Sequence, residues 1–168
     1  MGSARGFTMI ELVVVMILVG ILAVVAIPRL DSSAFQERGF RDGVFTTITH
    51  ARRLAMASRR FVCVTVVAGS GSAATVSLSR DPNTSPESAA SIACSQSLAL
   101  PAQISGCAAD QLCAPAGVTL GDGLGGSLVI RFDPLGRSLS TPNNTVAASV
   151  AISNQTPVTV EAETGYVQ

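Results

Sequence analysis

At 168 residues the chain has room for one folded domain and an appendage, because domains of about 100 to 150 residues are the commonest size. Eleven Arg and no Lys balance eleven acidic residues, so no overall field draws the protein to nucleic acid or to acidic substrates, and any such binding has to come from a local patch. Apolar residues make up 48% and charged residues 13%, and much of that imbalance sits in one place, since Leu12 to Ile27 carries no charge at all.

The first six residues, MGSARG, are short, polar and carry Arg5; an apolar helix is predicted to begin abruptly at Phe7. The run from Phe7 to Ile27 is about 21 residues, which at about 1.5 Å per residue matches the roughly 30 Å of a bilayer core. Arg5 on the near side would hold that end in the cytoplasm, leaving everything after Pro28 outside. Pro28 removes a backbone donor and crowds the preceding turn, so a helix kink is expected there. Beyond it Phe40, Val44, Ile48, Ala51 and Ala55 recur at helical spacing, with Arg38, Arg41, Arg52, Arg53, Arg59 and Arg60 around the other faces. This predicts an amphipathic helix laid on a core.

Near Phe61 the pattern changes to period two. FVCVTVVA, the turn residues GSGS, and AATVSLS read as a β-hairpin. Asp81 to Gly117 is rich in Ser, Ala, Pro and Cys with little periodicity and reads as a long loop region. Strand signals return at GVTL, SLVIRF, VAASVAIS and PVTVEAE, separated by turns such as DPLG and TPNN. The expected fold class is α+β, a long N-terminal helix packed against an antiparallel β-sheet domain. Its expected segments are a leader at 1–6, a transmembrane helix at 7–28, an amphipathic helix at 29–60 and a β-rich globular domain at 61–168.

Cys63, Cys94, Cys107 and Cys113 all follow the apolar run, which puts them on the oxidising side of a bacterial inner membrane and makes disulfides the expected state. Of the three possible pairings, the favoured one joins Cys107 to Cys113 across a short loop and Cys63 to Cys94 to pin a loop to a strand. A zinc site needs closely paired ligands, and neither these spacings nor the solitary His50 supplies them.

Glu11 is the oddest residue, because a carboxylate inside a spanning helix costs about 2.5 to 3.5 kcal/mol on insertion scales. One reading lets it snorkel to the headgroups. The other has it await a cation from a neighbouring chain. A cut between Gly6 and Phe7 would create a new amine four residues before Glu11, and in a staggered stack one chain's Glu11 can meet the next chain's terminal amine. An unpaired charge in a dry interior is strongly unfavourable, so the pair would set axial register as well as give attraction.

GFTMIELVVVMILVGILAVVAIP resembles the prepilin signature of type IV pilin-like proteins: Gly before the cut, an aromatic first mature residue, Glu at mature position five and Pro at position twenty-two, filled by Gly6, Phe7, Glu11 and Pro28. An ordinary secretory signal peptide is the main rival, but its apolar run is normally about 7 to 15 residues and would not carry Glu11. The resemblance implies that an inner-membrane prepilin peptidase cuts after Gly6 and N-methylates Phe7, and that other pilins or pseudopilins are partners through the N-terminal helix. It implies a single-pass inner-membrane protein with a periplasmic C-terminal domain, periplasmic or extracellular once in a filament. ARRLAMASRRFVCVTV, RFDPLGR and VTVEAETGYVQ further resemble the branch holding the type II secretion pseudopilin H and the minor pilin FimT, with the TGYV ending leaning toward mannose-sensitive haemagglutinin-type pilins.

Three functions follow from that resemblance: a minor structural subunit of a pilus-like filament, a pseudopilin H-like subunit of a type II secretion system, or a DNA-binding minor pilin. The Arg residues of the amphipathic helix point around several faces and are diluted by Glu37 and Asp42, which argues against nucleic acid as a partner. One His and scattered single carboxylates offer no acid or base beside a nucleophile, and Gly121 to Gly126 lies between strands, not before a helix. No catalytic residue, metal ligand or cofactor is expected.

Overall fold

The computed structural model describes residues 6–26, 32–83, 92–101, 107–108, 110–141 and 144–168. It divides into two compact units, one ending at Phe35 and one running from Gln36 to Gln168.

The first unit is built on helix α1, Met9–Ala26, which apart from Glu11 is apolar on every face. Its Val and Ile residues are poor helix formers in water because branching at Cβ restricts the side chain against the preceding turn. A helix that is apolar all round belongs in a packed core or a membrane. Here its described side chains face outward, Phe7 just ahead of it being 80% exposed. Pro28, the predicted kink, lies outside the described residues.

The second unit holds nearly all of helix α2, Ser32–Ser58, and the sheets. The predicted apolar stripe is the buried one: Phe40, Val44, Ile48, Ala51 and Ala55 are all in the core. The helix stops in a Schellman geometry, with Arg59 in the left-handed region at φ 51° and the Arg60 N–H donating to the Ala55 carbonyl at 3.3 Å.

Strands β1 (Val62–Val67) and β3 (Thr75–Arg80) pair antiparallel from Val62↔Arg80 to Val67↔Thr75, which is the predicted hairpin. Its connection is more than a turn. Gly69–Ser70 forms strand β2, which pairs with β6 (Thr119–Gly121) in a different sheet, and a 3-10 turn over Gly71–Ala73 brings the chain back. Alternation decides the faces: Val62, Val64 and Val66 with Val76 and Leu78 point to the core, joined by Ile130 and Phe132 of β7 (Leu128–Phe132).

The stretch from Asp81 to Gly117, expected as a loop region held by disulfides more than by pairing, does pair at two short places. It carries β4 (Gln96–Ser97) and β5 (Gln111–Cys113), both on the free edge of β3. Such two- and three-residue strands are too short to show a period, which is why the sequence hides them. Disulfides Cys63–Cys94 and Cys107–Cys113 join this stretch, with Cα separations of 6.1 and 6.0 Å, inside the range such bridges take. Asp81, buried, accepts the N–H of Asn83 on one carboxylate oxygen and that of Ala93 on the other, at 2.8 and 3.0 Å. It therefore draws Asn83 and Ala93 together beside Cys94.

With β8 (Ser138–Thr141) and β9 (Asn144–Thr145), the larger sheet runs β4-β3-β1-β7-β8-β9 among the described residues, β5 pairing with β3 as well. The smaller sheet orders β11 (Val158–Val160), β10 (Ala148–Ile152), β6 and β2. Its core face is Leu120, Val150, Ile152, Val158 and Val160, and these share one cluster with the α2 stripe. A helix packed against antiparallel sheets is the α+β arrangement expected from the sequence.

Candidate functional site

The chemistry-bearing residues of the sequence gather at the start of α1. Gly6, Phe7 and Thr8 are non-helical and the helix begins at Met9. Thr8 is its N-cap: the side-chain Oγ1 accepts the Glu11 N–H at 3.3 Å, and the Thr8 carbonyl accepts the Leu12 N–H at 3.2 Å. T-x-x-E is the spacing of a capping box, in which a hydroxyl and a Glu three residues later satisfy orphan donors of the first turn. Residue type alone does not single out Thr8, although that spacing is present in the sequence.

Glu11 therefore sits in the first turn, where a negative charge complements the positive end of the helix dipole. Its carboxylate meets no hydrogen-bond or ion-pair partner among the described residues. The rest of α1 offers only apolar side chains, so Glu11 is the one charge on it. Among the described residues no helix is long and apolar enough to cross a membrane.

The Arg residues of α2 have several roles. Arg41 donates from Nε to the Thr156 carbonyl at 3.0 Å, Arg52 from Nε to the Gly136 carbonyl at 3.3 Å, and Arg60, just past the helix, from Nη1 to the Pro82 carbonyl at 3.1 Å. Glu37 accepts from Asn154 and Gln155 on the same β10–β11 turn that Arg41 holds. These side chains tie the helix to loops of both sheets, and Arg38, Arg53 and Arg59 remain exposed at separated places. His50 is half-buried with no acid, base or nucleophile bonded to it among the described residues.

The turn GDGLGG is closed by Asp122, whose Oδ1 accepts the N–H groups of Gly126 and Leu124, each at 2.8 Å. Those bonds, that from Gly126 foremost, hold its carboxyl below the ordinary Asp value. Beside it lies an open cleft of about 390 Å³ lined by Gly69, Thr119, Gly121, Ala151 and Ser153 among others. Its lining residues include no acid or base to set beside the Thr119 or Ser153 hydroxyl. Among the described residues no group of three or more His, Cys, Asp or Glu is placed to hold a metal ion.

No curated protein and no solved structure matches the chain. Residues 1–27 match the prokaryotic N-terminal methylation motif. That match supports a type IV pilin-like prepilin signature on the segment that holds Gly6, Phe7, Thr8 and Glu11, and the motif implies processing by a prepilin peptidase and assembly with other pilins.

Proposed function

We propose that this protein is a minor structural subunit of a type IV pilus-like filament. It is inserted in the inner membrane by the segment 7–28, cut between Gly6 and Phe7, N-methylated on Phe7 and assembled through α1. The observation that carries this reading is the methylation motif over residues 1–27, on a helix whose one charge, Glu11, has no partner among the described residues of its own chain. A neighbouring chain's terminal amine would supply that partner, and neighbouring apolar helices would cover the outward side chains.

A pseudopilus of a type II secretion system uses the same helix physics, and the stoichiometry of sheared filaments together with the secretion phenotype of a deletion separates the two. DNA uptake is less well supported, because Arg41, Arg52 and Arg60 are engaged by loop carbonyls of their own domain. The test of the central reading is the intact mass of the N-terminal peptide from native membranes. A peptide beginning at N-methylated Phe7 is expected; one beginning at Met1, or after Ala26, would overturn it.

A further inference from the structure

The Glu11 N–H is the donor that a longer helix would need. In α-helical continuation it would bond to the carbonyl of Phe7, four residues back. Thr8 Oγ1 takes that N–H instead, at 3.3 Å, and the first helical carbonyl is that of Thr8 itself, bonded to Leu12 at 3.2 Å. The hydroxyl thus competes directly with the next backbone bond and leaves Gly6 and Phe7 outside the helix. A peptidase binds its substrate in extended backbone, whose N–H and C=O groups are free to pair with the enzyme; in a helical segment they are already paired with each other.

We propose that Thr8 is a positioning residue for processing: its hydroxyl ends the helix just short of the Gly6–Phe7 bond and keeps that bond in backbone a peptidase can bind. The inference rests on the reading that Gly6–Phe7 is the bond cut. The same geometry leaves the amine released on Phe7 clear of the helix and open to methyl transfer. Gly6 acts in the same direction, since Gly is a poor helix former and resists extension of the helix from its own side.

The test uses the full-length precursor in inner-membrane vesicles with prepilin peptidase. It compares the wild type with Thr8→Val, which keeps the branched shape and loses the hydroxyl, and Thr8→Ser, which restores it. Losing an N-cap shifts the local equilibrium toward the longer helix by about fivefold. A fall in the cutting-competent fraction raises the apparent KM and leaves kcat unchanged. Thr8→Val should therefore lose kcat/KM through KM, by up to about fivefold, and Thr8→Ser should recover it. Amide exchange at Glu11 in micelles supplies a second readout: the amide of Thr8→Val should still be protected, now by the Phe7 carbonyl, with Phe7 acquiring helical chemical shifts. Equal cutting of Thr8→Val and wild type, or failure of Thr8→Ser to recover, overturns the inference alone. Wild-type precursor left uncut at Gly6–Phe7, under conditions where the peptidase cuts a control prepilin, overturns the underlying reading and the inference with it.

Discussion

The carbonyl of Gly136 occupies the place where a β-carbon on Gly165 would have to stand. Gly136 belongs to the β7–β8 turn, closed by Asp133, which is buried and accepts the N–H groups of Leu135 and Arg137 at 3.0 and 2.7 Å. Gly165 belongs to the last turn of the chain, where its N–H donates to the Glu161 carbonyl at 2.9 Å. Arg52 of α2 reaches the same point and donates to the Gly136 carbonyl. Helix, internal turn and C-terminal segment therefore meet at two glycines, each with positive φ.

Gly165→Ala adds a collision with backbone to a left-handed conformation at φ 58°, so it should destabilise by about 3 kcal/mol. Thermal unfolding of the full chain in detergent should show a midpoint lowered by roughly 6 to 12 °C. Gly117→Ala is the control, with φ 82° but open space around the added carbon, and should cost only about 1 kcal/mol. Equal losses in the two variants would mean that the contact with Gly136 contributes nothing.

Arg59 sits in the left-handed position that ends α2, a place Gly occupies without penalty. Arg59→Gly should raise stability by about 1 kcal/mol. Denaturant titration should show a higher midpoint with an unchanged slope. A lower midpoint would mean that the exposed guanidinium contributes more at the helix end than the backbone strain costs.

The Asp122 carboxyl is held below the ordinary 3.8 by the N–H groups of Gly126 and Leu124. A depressed folded-state value means the stabilisation is present above the unfolded pKa and is lost as the pH falls through the folded one. The amide shifts of Gly126 and Leu124 should therefore titrate with a midpoint under 3.8, and Asp122→Asn should abolish that titration. A midpoint at or above 3.8 would contradict the bonding pattern.

Glu11→Ala removes the one charge from α1, so membrane insertion should be retained or improved. Under the proposed function, incorporation into sheared filaments should fall by about tenfold or more, about 1.4 kcal/mol of lost register pairing being enough for that. The ratio of filament to membrane protein on immunoblots measures it. Wild-type incorporation would remove Glu11 from the assembly mechanism.

Much of the fold was legible because it rests on periods. The α2 stripe of Phe40, Val44, Ile48, Ala51 and Ala55 repeats at helical spacing, and Val62, Val64 and Val66 alternate; each set is buried as its period requires. Strands such as Gln96–Ser97 and Asn144–Thr145 were not legible, since two residues carry no period and exist only because a neighbouring edge pairs with them. At the candidate site Gly6, Phe7 and Glu11 stood out by residue type against an apolar run. Thr8 did not, because a hydroxyl becomes a cap only when backbone geometry aims it at an N–H.

By itself the sequence determined the apolar N-terminal segment, its single carboxylate and the switch from helix to strand near Phe61, all consequences of local pattern. Only the tertiary structure decided what Arg41, Arg52 and Arg60 do, because their carbonyl partners on Thr156, Gly136 and Pro82 lie 115, 84 and 22 residues away along the chain. It likewise decided that Gly69–Ser70 crosses to the second sheet. Contacts over such separations depend on how packed elements bring distant backbone together, and no local pattern encodes that.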